Sequence, residues 1–501
     1  MWTRRYYGAR RRSRTSAALR LQDRAPLGRW TGPARGSDDQ ARPALVLIAG
    51  AIGDRFGRRP ALLTGLIGFA LASGIGALVS GPGALVVVRL VMGSFAALIF
   101  PTTLSIITNA YPDRGERAKA IGVWGAVTGL GVAVGPVTGG LLLAHFWWGS
   151  VFLALLPVAV IAAVLTYLLV PESRDPAQAR IDLPGLVSSS AAIGLLVYTI
   201  IEAPNRGWTA PWSLAGFTAT AVITVAFVAI ERRQAHPMLD VSLFRTPAFS
   251  AASGSVTLAF FALFGFIFLI TQYFQFIRGY GTLSTGLRIL PVATTIAVGS
   301  ILGARLADRV GTRALVATGL ILLGTAFAWI AVSSTYRPYS VILVQMVLIG
   351  TGLGLATTPA TESILSVLPA AKAGVGSAVN DATRETGGTL GVAVLGSIFT
   401  SIYAHHLAGT SVAALPHHVA VAARESVGAA FAAASHAAPP VSHQLITDIN
   451  ASFMSGLQIA CLVAAGITGL GALAALLLPG RRTAAAPASV ITPVAVQPAA
   501  A

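Results

Sequence analysis

Ionisable side chains stand at wide intervals inside stretches of this sequence that are otherwise apolar. Arg89 lies in Val86-Val87-Val88-Arg89-Leu90-Val91-Met92-Gly93, Glu202 beside Pro204 and Asn205, and Glu362 in Thr357-Thr358-Pro359-Ala360-Thr361-Glu362-Ser363. A fourth group is the run Asn380-Asp381-Ala382-Thr383-Arg384-Glu385. A carboxyl in a low-dielectric cavity exchanges protons near neutral pH, so the chemistry open to these groups is proton carriage or ion pairing. An unpaired guanidinium in such a place is costly, which requires Arg89 to face an interior, a cavity or a partner. Asp381 and Arg384 are three apart, and Asn380 and Arg384 four apart, so all meet on one helix face, as a self-neutralised structural cluster or as a transport element. Glu202 is equally placed for an interfacial cap, and Glu362, seven residues ahead of Pro369, sits nearer one end of its stretch than the middle.

The elements that must hold these residues are membrane helices. The 501 residues are 54% hydrophobic and only 11% charged, with mean hydropathy +0.73, so lipid is the solvent for most of the chain. Apolar stretches of spanning length run at about 61–80, 84–109, 119–144, 150–170, 183–202, 212–231, 249–276, 286–306, 314–333, 340–365, 373–403 and 452–478. These are twelve full spans; a thirteenth, about 43–53, is only half long enough. The 53 glycines suit helices that meet in lipid through close backbone approach.

A repeat organises the spans. Asp54-Arg55-Phe56-Gly57-Arg58-Arg59 recurs as Asp308-Arg309-Val310-Gly311-Thr312-Arg313 at an offset of 254, each copy in a short basic gap between apolar runs. Two related halves follow, and in such proteins the substrate site lies between the halves. Counting Lys and Arg in alternate gaps puts seventeen on the side of residues 54–60 and four on the other, which makes both loops cytoplasmic.

The net charge of +17 does not indicate nucleic acid, because eleven of the basic residues crowd into 1–43 and most others lie in gaps where they orient helices. The lone Cys461 permits no intrachain disulfide, and nothing matches a phosphate-binding G-x-x-x-x-G-K-[ST] loop. Residues 404–451 hold six of the eight histidines without nearby Cys and with few acids; we read this segment as a solvated outer loop rather than a metal site. The Arg-rich segment 1–43 has no apolar core and reads as a disordered tail or a mistranslated start, and 481–501 as a disordered tail. The resulting division is 44–182 for an incomplete first half, 183–248 for two inserted helices with a linker, and 249–480 for the second half.

Three motifs carry a family resemblance. Gly50-x-x-Gly53-Asp54-Arg55-x-Gly57-Arg58-Arg59 resembles the cytoplasmic signature loop of the major facilitator superfamily, over roughly residues 44–480. In that family the loop is a gate latch, the role the resemblance implies for Asp54 and Arg55, with the second copy at Asp308, Arg309, Gly311 and Arg313. Gly131-x-x-x-Gly135-Pro136-x-x-Gly139-Gly140 resembles the antiporter signature of exporters in the family; physically, a Pro on a Gly-lined face allows very close helix contact. The inserted pair 183–202 and 212–231, with the stretch Ala378–Gly388, resembles the fourteen-helix drug:proton antiporter branch (EmrB/QacA-like), here apparently lacking the first helix and part of the second.

The resemblance implies an all-α polytopic membrane protein with two six-helix halves and two extra helices between them. It implies proton-driven export of hydrophobic or cationic compounds such as antibiotics, with no enzyme activity and no cofactor. Arg89 resembles the fourth-helix arginine linked to proton transfer, while Glu202, Glu362, Asp381, Arg384 and Glu385 are the other candidates for coupling. Aromatics of the 249–276 stretch, Phe264, Phe268 and Tyr273, together with Gln272, are the candidate substrate pocket. The expected partners are a small molecule, protons and lipid, for a monomer in the cell membrane. An uptake symporter and a non-transporting remnant or sensor are the rival readings. The branch also usually carries an acid in its first helix, and nothing of that kind precedes Asp54.

Overall fold

The computed structural model of the chain describes residues 57–111, 114–173, 182–234, 239, 241–333, 335, 337–366 and 373–478. Segments 1–43 and 481–501, the partial span 43–53, and Gly50, Gly53, Asp54 and Arg55 lie outside the described residues. Among the described residues every regular element is helical. In chain order these are α1 (Arg58–Leu78), α2 (Pro82–Ala110), α3 (Arg114–His145), α4 (Ser150–Leu169), α5 (Leu183–Arg206), α6 (Pro211–Arg233) and α7 (Pro247–Gln272). They continue with α8 (Thr282–Val310), α9 (Thr312–Ala331), α10 (Tyr339–Ser366), α11 (Ala373–Ala408), α12 (His417–Glu425), α13 (Val427–His436) and α14 (Pro439–Ala474).

Each of the twelve expected spans corresponds to one of these helices. Eleven described helices are long and apolar enough to cross a membrane. The twelfth, α3, has 32 residues and an apolar end at Val134–His145, and at 1.5 Å per residue it reaches about 48 Å. Short connections force neighbours to run antiparallel, and Pro at the first turn starts α2, α5, α6, α7 and α14, where a missing N–H leaves no bond unmade.

The second bundle has the larger core. Phe249, Phe274, Phe327, Met346, Leu353 and Phe453 are fully buried there, where α7 packs on α10, α11 and α14, and α9 on α10 and α14. In the first bundle α1 packs on α2 and α4 around Ala72, Ala77, Met92 and Phe152. The outward side of α4 presents Val158, Ile161, Val164, Leu165 and Leu168, a surface suited to acyl chains and not to water. The inserted hairpin α5–α6 docks on α11, where Ser397 Oγ donates to Ile200 O at 2.9 Å and Trp208 Nε1 donates to Ser401 Oγ at 3.2 Å.

The segment 404–451 corrects the expectation of a solvated loop. It holds the end of α11, a 3₁₀ turn at Ser411–Ala414, α12, α13 and the start of α14. Alanine is the strongest helix former, and Val412, Ala420, Ala423, Val427, Ala430 and Ala434 are all buried, so the segment is a folded cap. Ser426 caps α13 through Ala429 N, and Phe431 stacks on Phe276 with centroids 6.3 Å apart and planes within 11°. Among the described residues no cluster of His, Cys, Asp or Glu is arranged to hold a metal.

Candidate functional site

The glycines of the duplicated loops have matching backbones. Gly57 (φ 105°, ψ 136°) precedes α1 and Gly311 (φ 93°, ψ 148°) precedes α9, a conformation that only glycine adopts without strain. The arginines two residues on are matched as well. Arg59 Nη2 donates to Tyr167 O near the end of α4, with its guanidinium 4.9 Å from the Tyr167 ring centroid, and Arg313 Nε donates to Leu478 O at 2.7 Å, just past α14. Each therefore ties the first turn of its helix to the final carbonyls of the last helix in its bundle, satisfying groups that a helix end leaves open. Arg58 N donates to Ser173 O at 3.0 Å, Arg309 is exposed, and Asp308 falls on the last turn of α8.

The glycine-proline motif of α3 meets the other bundle at the far end from these loops. Thr282 Oγ1 donates to Gly140 O at 2.9 Å. A Cβ on Gly140 would lie 2.6 Å from Thr282 O, and one on Gly286 of α8 would lie 2.3 Å from Pro136 O. At Gly140 and Gly286 backbone thus rests on backbone across the two bundles. Gly131, Gly135 and Gly139 lie on another face, where an added Cβ meets nothing within 4 Å. A shallow cavity of about 520 Å³ opens beside the seam, lined by Ala144, Gly281, Thr282, Leu283, Ser284 and Leu287.

The polar run of α11 converges with α10 and α7. Asp381 and Asn380 are each only 5% exposed. Asn380 Oδ1 accepts from Thr361 Oγ1 at 2.9 Å, and Thr361 Oγ1 accepts from Arg384 Nη2 at 3.3 Å. The Arg384 guanidinium stands 5.3 Å from the centroid of Phe260 on α7. Glu385 is half-buried one residue further along α11, and Glu362, beside Thr361 on α10, is exposed.

Along α7, Phe260, Phe264 and Phe268 form a stripe at four-residue spacing. Phe264 is 39% exposed, and its ring packs over Gly388 of α11 as that of Phe268 packs over Gly396. Gln272 is half-buried at the end of the stripe. Tyr273 departs from the pocket expectation: its ring is buried against Phe274 and Phe453, and its hydroxyl donates to Thr335 O at 2.7 Å. The stripe continues at Gln272, and Tyr273, the next residue, lies about 100° further around the helix, where a π-helical turn, Tyr273–Ile277, begins.

The remaining candidates lie apart from this cluster. Arg89 places its guanidinium 4.8 Å from the ring centroid of buried Phe152. Glu202 Oε2 pairs with Arg206 Nε at 3.3 Å, and Arg206 lies 4.3 Å from the Trp212 ring centroid, closing the α5–α6 hairpin.

Sequence reasoning missed several polar groups. Buried Asp182 caps α5 by accepting from Gly185 N at 2.8 Å, near the buried Glu231 of α6; the signal was an Asp directly ahead of Leu-Pro-Gly. Arg288 lies between Tyr280 and Tyr339, at 4.1 and 5.6 Å from their centroids, and no local spacing announces that contact. Thr361 gives no sign in the sequence of linking α10 to α11.

A bundle of antiparallel membrane helices in two groups, with polar residues buried within it and a backbone seam between the groups, defines a multi-pass membrane carrier. The chain belongs to the major facilitator superfamily, whose family model matches residues 43–392. It is 35% identical over 422 residues to the multidrug efflux pump LfrA of Mycolicibacterium smegmatis, covering 84% of this chain and 83% of that protein. It is 31% identical over 444 residues to the tetracenomycin C resistance and export protein of Streptomyces glaucescens, covering 86% and 81%. Among solved structures, the human organic anion transporter MFSD10 aligns with a TM-score of 0.55 at 17% identity, covering 88% of this chain and 83% of that one. An inward-facing bacterial homologue of the lysosomal transporter Spinster aligns at 0.54 and 13% identity, covering 93% and 96%. Both structures share the fold.

Proposed function

We propose that this carrier is a drug exporter that exchanges hydrophobic or cationic small molecules for protons, within the fourteen-helix drug:proton antiporter branch. The observation that carries the reading is the seam at Pro136, Gly140, Thr282 and Gly286, a close backbone contact bridged by the Thr282 hydroxyl, which limits leak while the bundles rock. The names of the efflux and resistance relatives support export as the direction. Asp381 is the proton carrier in this reading, since it is buried in a polar cluster that reaches the α7 aromatic stripe. The pairing of Glu202 with Arg206 favours a capping role there. Arg89 stays a candidate for proton transfer in the first bundle, and Glu362, exposed beside the cluster, for proton entry. The loops at Gly57 and Gly311 face the cytoplasm in this reading, and the protein works as a monomer.

Everted membrane vesicles test it. After energisation, adding ethidium or tetraphenylphosphonium should release protons from the vesicle interior in proportion to substrate uptake. Uptake that requires ATP and survives a protonophore overturns the antiport reading.

A further inference from the structure

Helical spacing offers Arg384 an obvious partner in Asp381, one turn back on α11, yet the guanidinium goes elsewhere. It reaches across to Thr361 of α10 and lies against the ring of Phe260 of α7. Two buried atoms are left without hydrogen-bond partners, Asp381 Oδ2 and Arg384 Nε. That arrangement suits a neutral carboxyl, because an ionised one in the same place would draw the guanidinium to itself.

We propose that Arg384 is a two-position arm. While Asp381 holds a proton, the arm rests on Phe260 and Thr361; when the proton leaves to water, the arm turns to pair with the Asp381 carboxylate. The idea rests on the proton-driven reading above and adds to it the class of substrate and the means of exchange. Phe260 stands 6.2 Å, centroid to centroid, from Phe264, the exposed ring of the stripe. With the guanidinium on Phe260, no second cation can use that ring face. With the guanidinium on Asp381, the face is open to a lipophilic cation, held by the same cation–π attraction. Proton and cationic substrate then exclude one another through a single ring, which is the requirement of antiport.

Among the described residues the charged and titratable neighbours are few. Arg384 and Glu385 share α11 with Asp381, α10 contributes Glu362, and α7 carries no charged residue between Pro247 and Gln272. Asp182, at the near end of α5, is engaged with Gly185 and Gln234. Arg89 of α2, Glu202 and Arg206 of α5, and His443 and Asp448 of α14 belong to the opposite end of their helices.

The experiment is equilibrium binding of tetraphenylphosphonium to the full chain in lipid nanodiscs across pH, with proton release followed in parallel. The wild type should bind more tightly as pH rises through a midpoint, releasing a proton on binding. Asp381→Asn should fix the arm on Phe260, giving binding at least tenfold weaker and independent of pH. Adding Arg384→Gln to Asp381→Asn should restore the affinity, a rescue that a merely structural role does not produce. Thr361→Val weakens the competing hold on the arm and should lower the midpoint by about one pH unit, whereas Thr361→Ser should leave it in place. Failure of Arg384→Gln to rescue, or a midpoint unmoved by Thr361→Val, overturns the arm while wild-type proton release persists. A wild type that neither binds the probe nor releases protons overturns the exporter reading beneath it.

Discussion

The seam between the bundles makes a prediction whose size follows from its geometry. A methyl group added at Gly286 would place Cβ 2.3 Å from Pro136 O and 2.8 Å from Pro136 C, while real Cβ atoms essentially never come within 3.0 Å of another heavy atom. The obstructing atoms are backbone, so no side chain can swing aside, and α3 and α8 must part by at least 0.7 Å. Overpacking of this kind costs about 1–3 kcal/mol. Charged against the closed seam alone, that is a shift of roughly 5- to 150-fold toward the open form. The assay is labelling of a Thr285→Cys variant by a membrane-impermeant maleimide. Thr285 is buried beside the seam, and the native Cys461 is buried and silent. If opening is fast, the labelling rate follows the open population, so Gly286→Ala should raise it by that factor and slow export. Gly131→Ala is the control: its Cβ meets nothing within 4 Å, and the added helix propensity is worth up to about 1 kcal/mol in its favour. Equal labelling in the Gly286→Ala and Gly131→Ala backgrounds would show that the Gly286–Pro136 contact does not hold the seam closed.

Two further perturbations probe other parts of the molecule. Gly57→Ala and Gly311→Ala each force a side chain into a backbone region reserved for glycine, at about 1–3 kcal/mol, and should lower the thermal unfolding midpoint by similar amounts because the two turns match; a large effect at one and none at the other would break the equivalence. Phe431→Ala removes the ring stacked on Phe276 and should release the α12–α13 cap by about 1 kcal/mol or more, read as faster hydrogen exchange confined to residues 417–436.

What the sequence made legible follows from what lipid demands of it. A spanning helix must satisfy its backbone internally and present apolar side chains for about 20 residues, so hydropathy located eleven of the expected spans as helices apolar enough to cross, and the twelfth, α3, only by its apolar end. The repeat of Asp54–Arg59 at 308–313 likewise showed where two equivalent turns fall, because a glycine-only backbone leaves its residue in the sequence. The cap of 417–436 was not legible because its histidines and the flanking prolines break the apolar pattern, while the small alanines whose burial follows helical spacing give only a weak hydropathy signal. Tyr273 was misplaced although the spacing excludes it: the four-residue stripe from Phe260 continues at Gln272, and the next residue turns about 100° away into the core. The contact of Arg384 with Thr361 and Phe260 was out of reach in principle: it joins three helices, and spacing within one helix pointed to Asp381 instead.

The paired arginines at 59 and 313 have a mechanical consequence. Both staples join helices of the same bundle, and both sit at the end of the molecule away from the α3–α8 seam. The arrangement is that of pliers: a smooth pivot at one end, and at the other two jaws, each riveted to itself and not to its opposite. Parting the jaws breaks neither rivet, so the work of opening falls on whatever bridges the bundles, and each bundle can turn as a stiff piece.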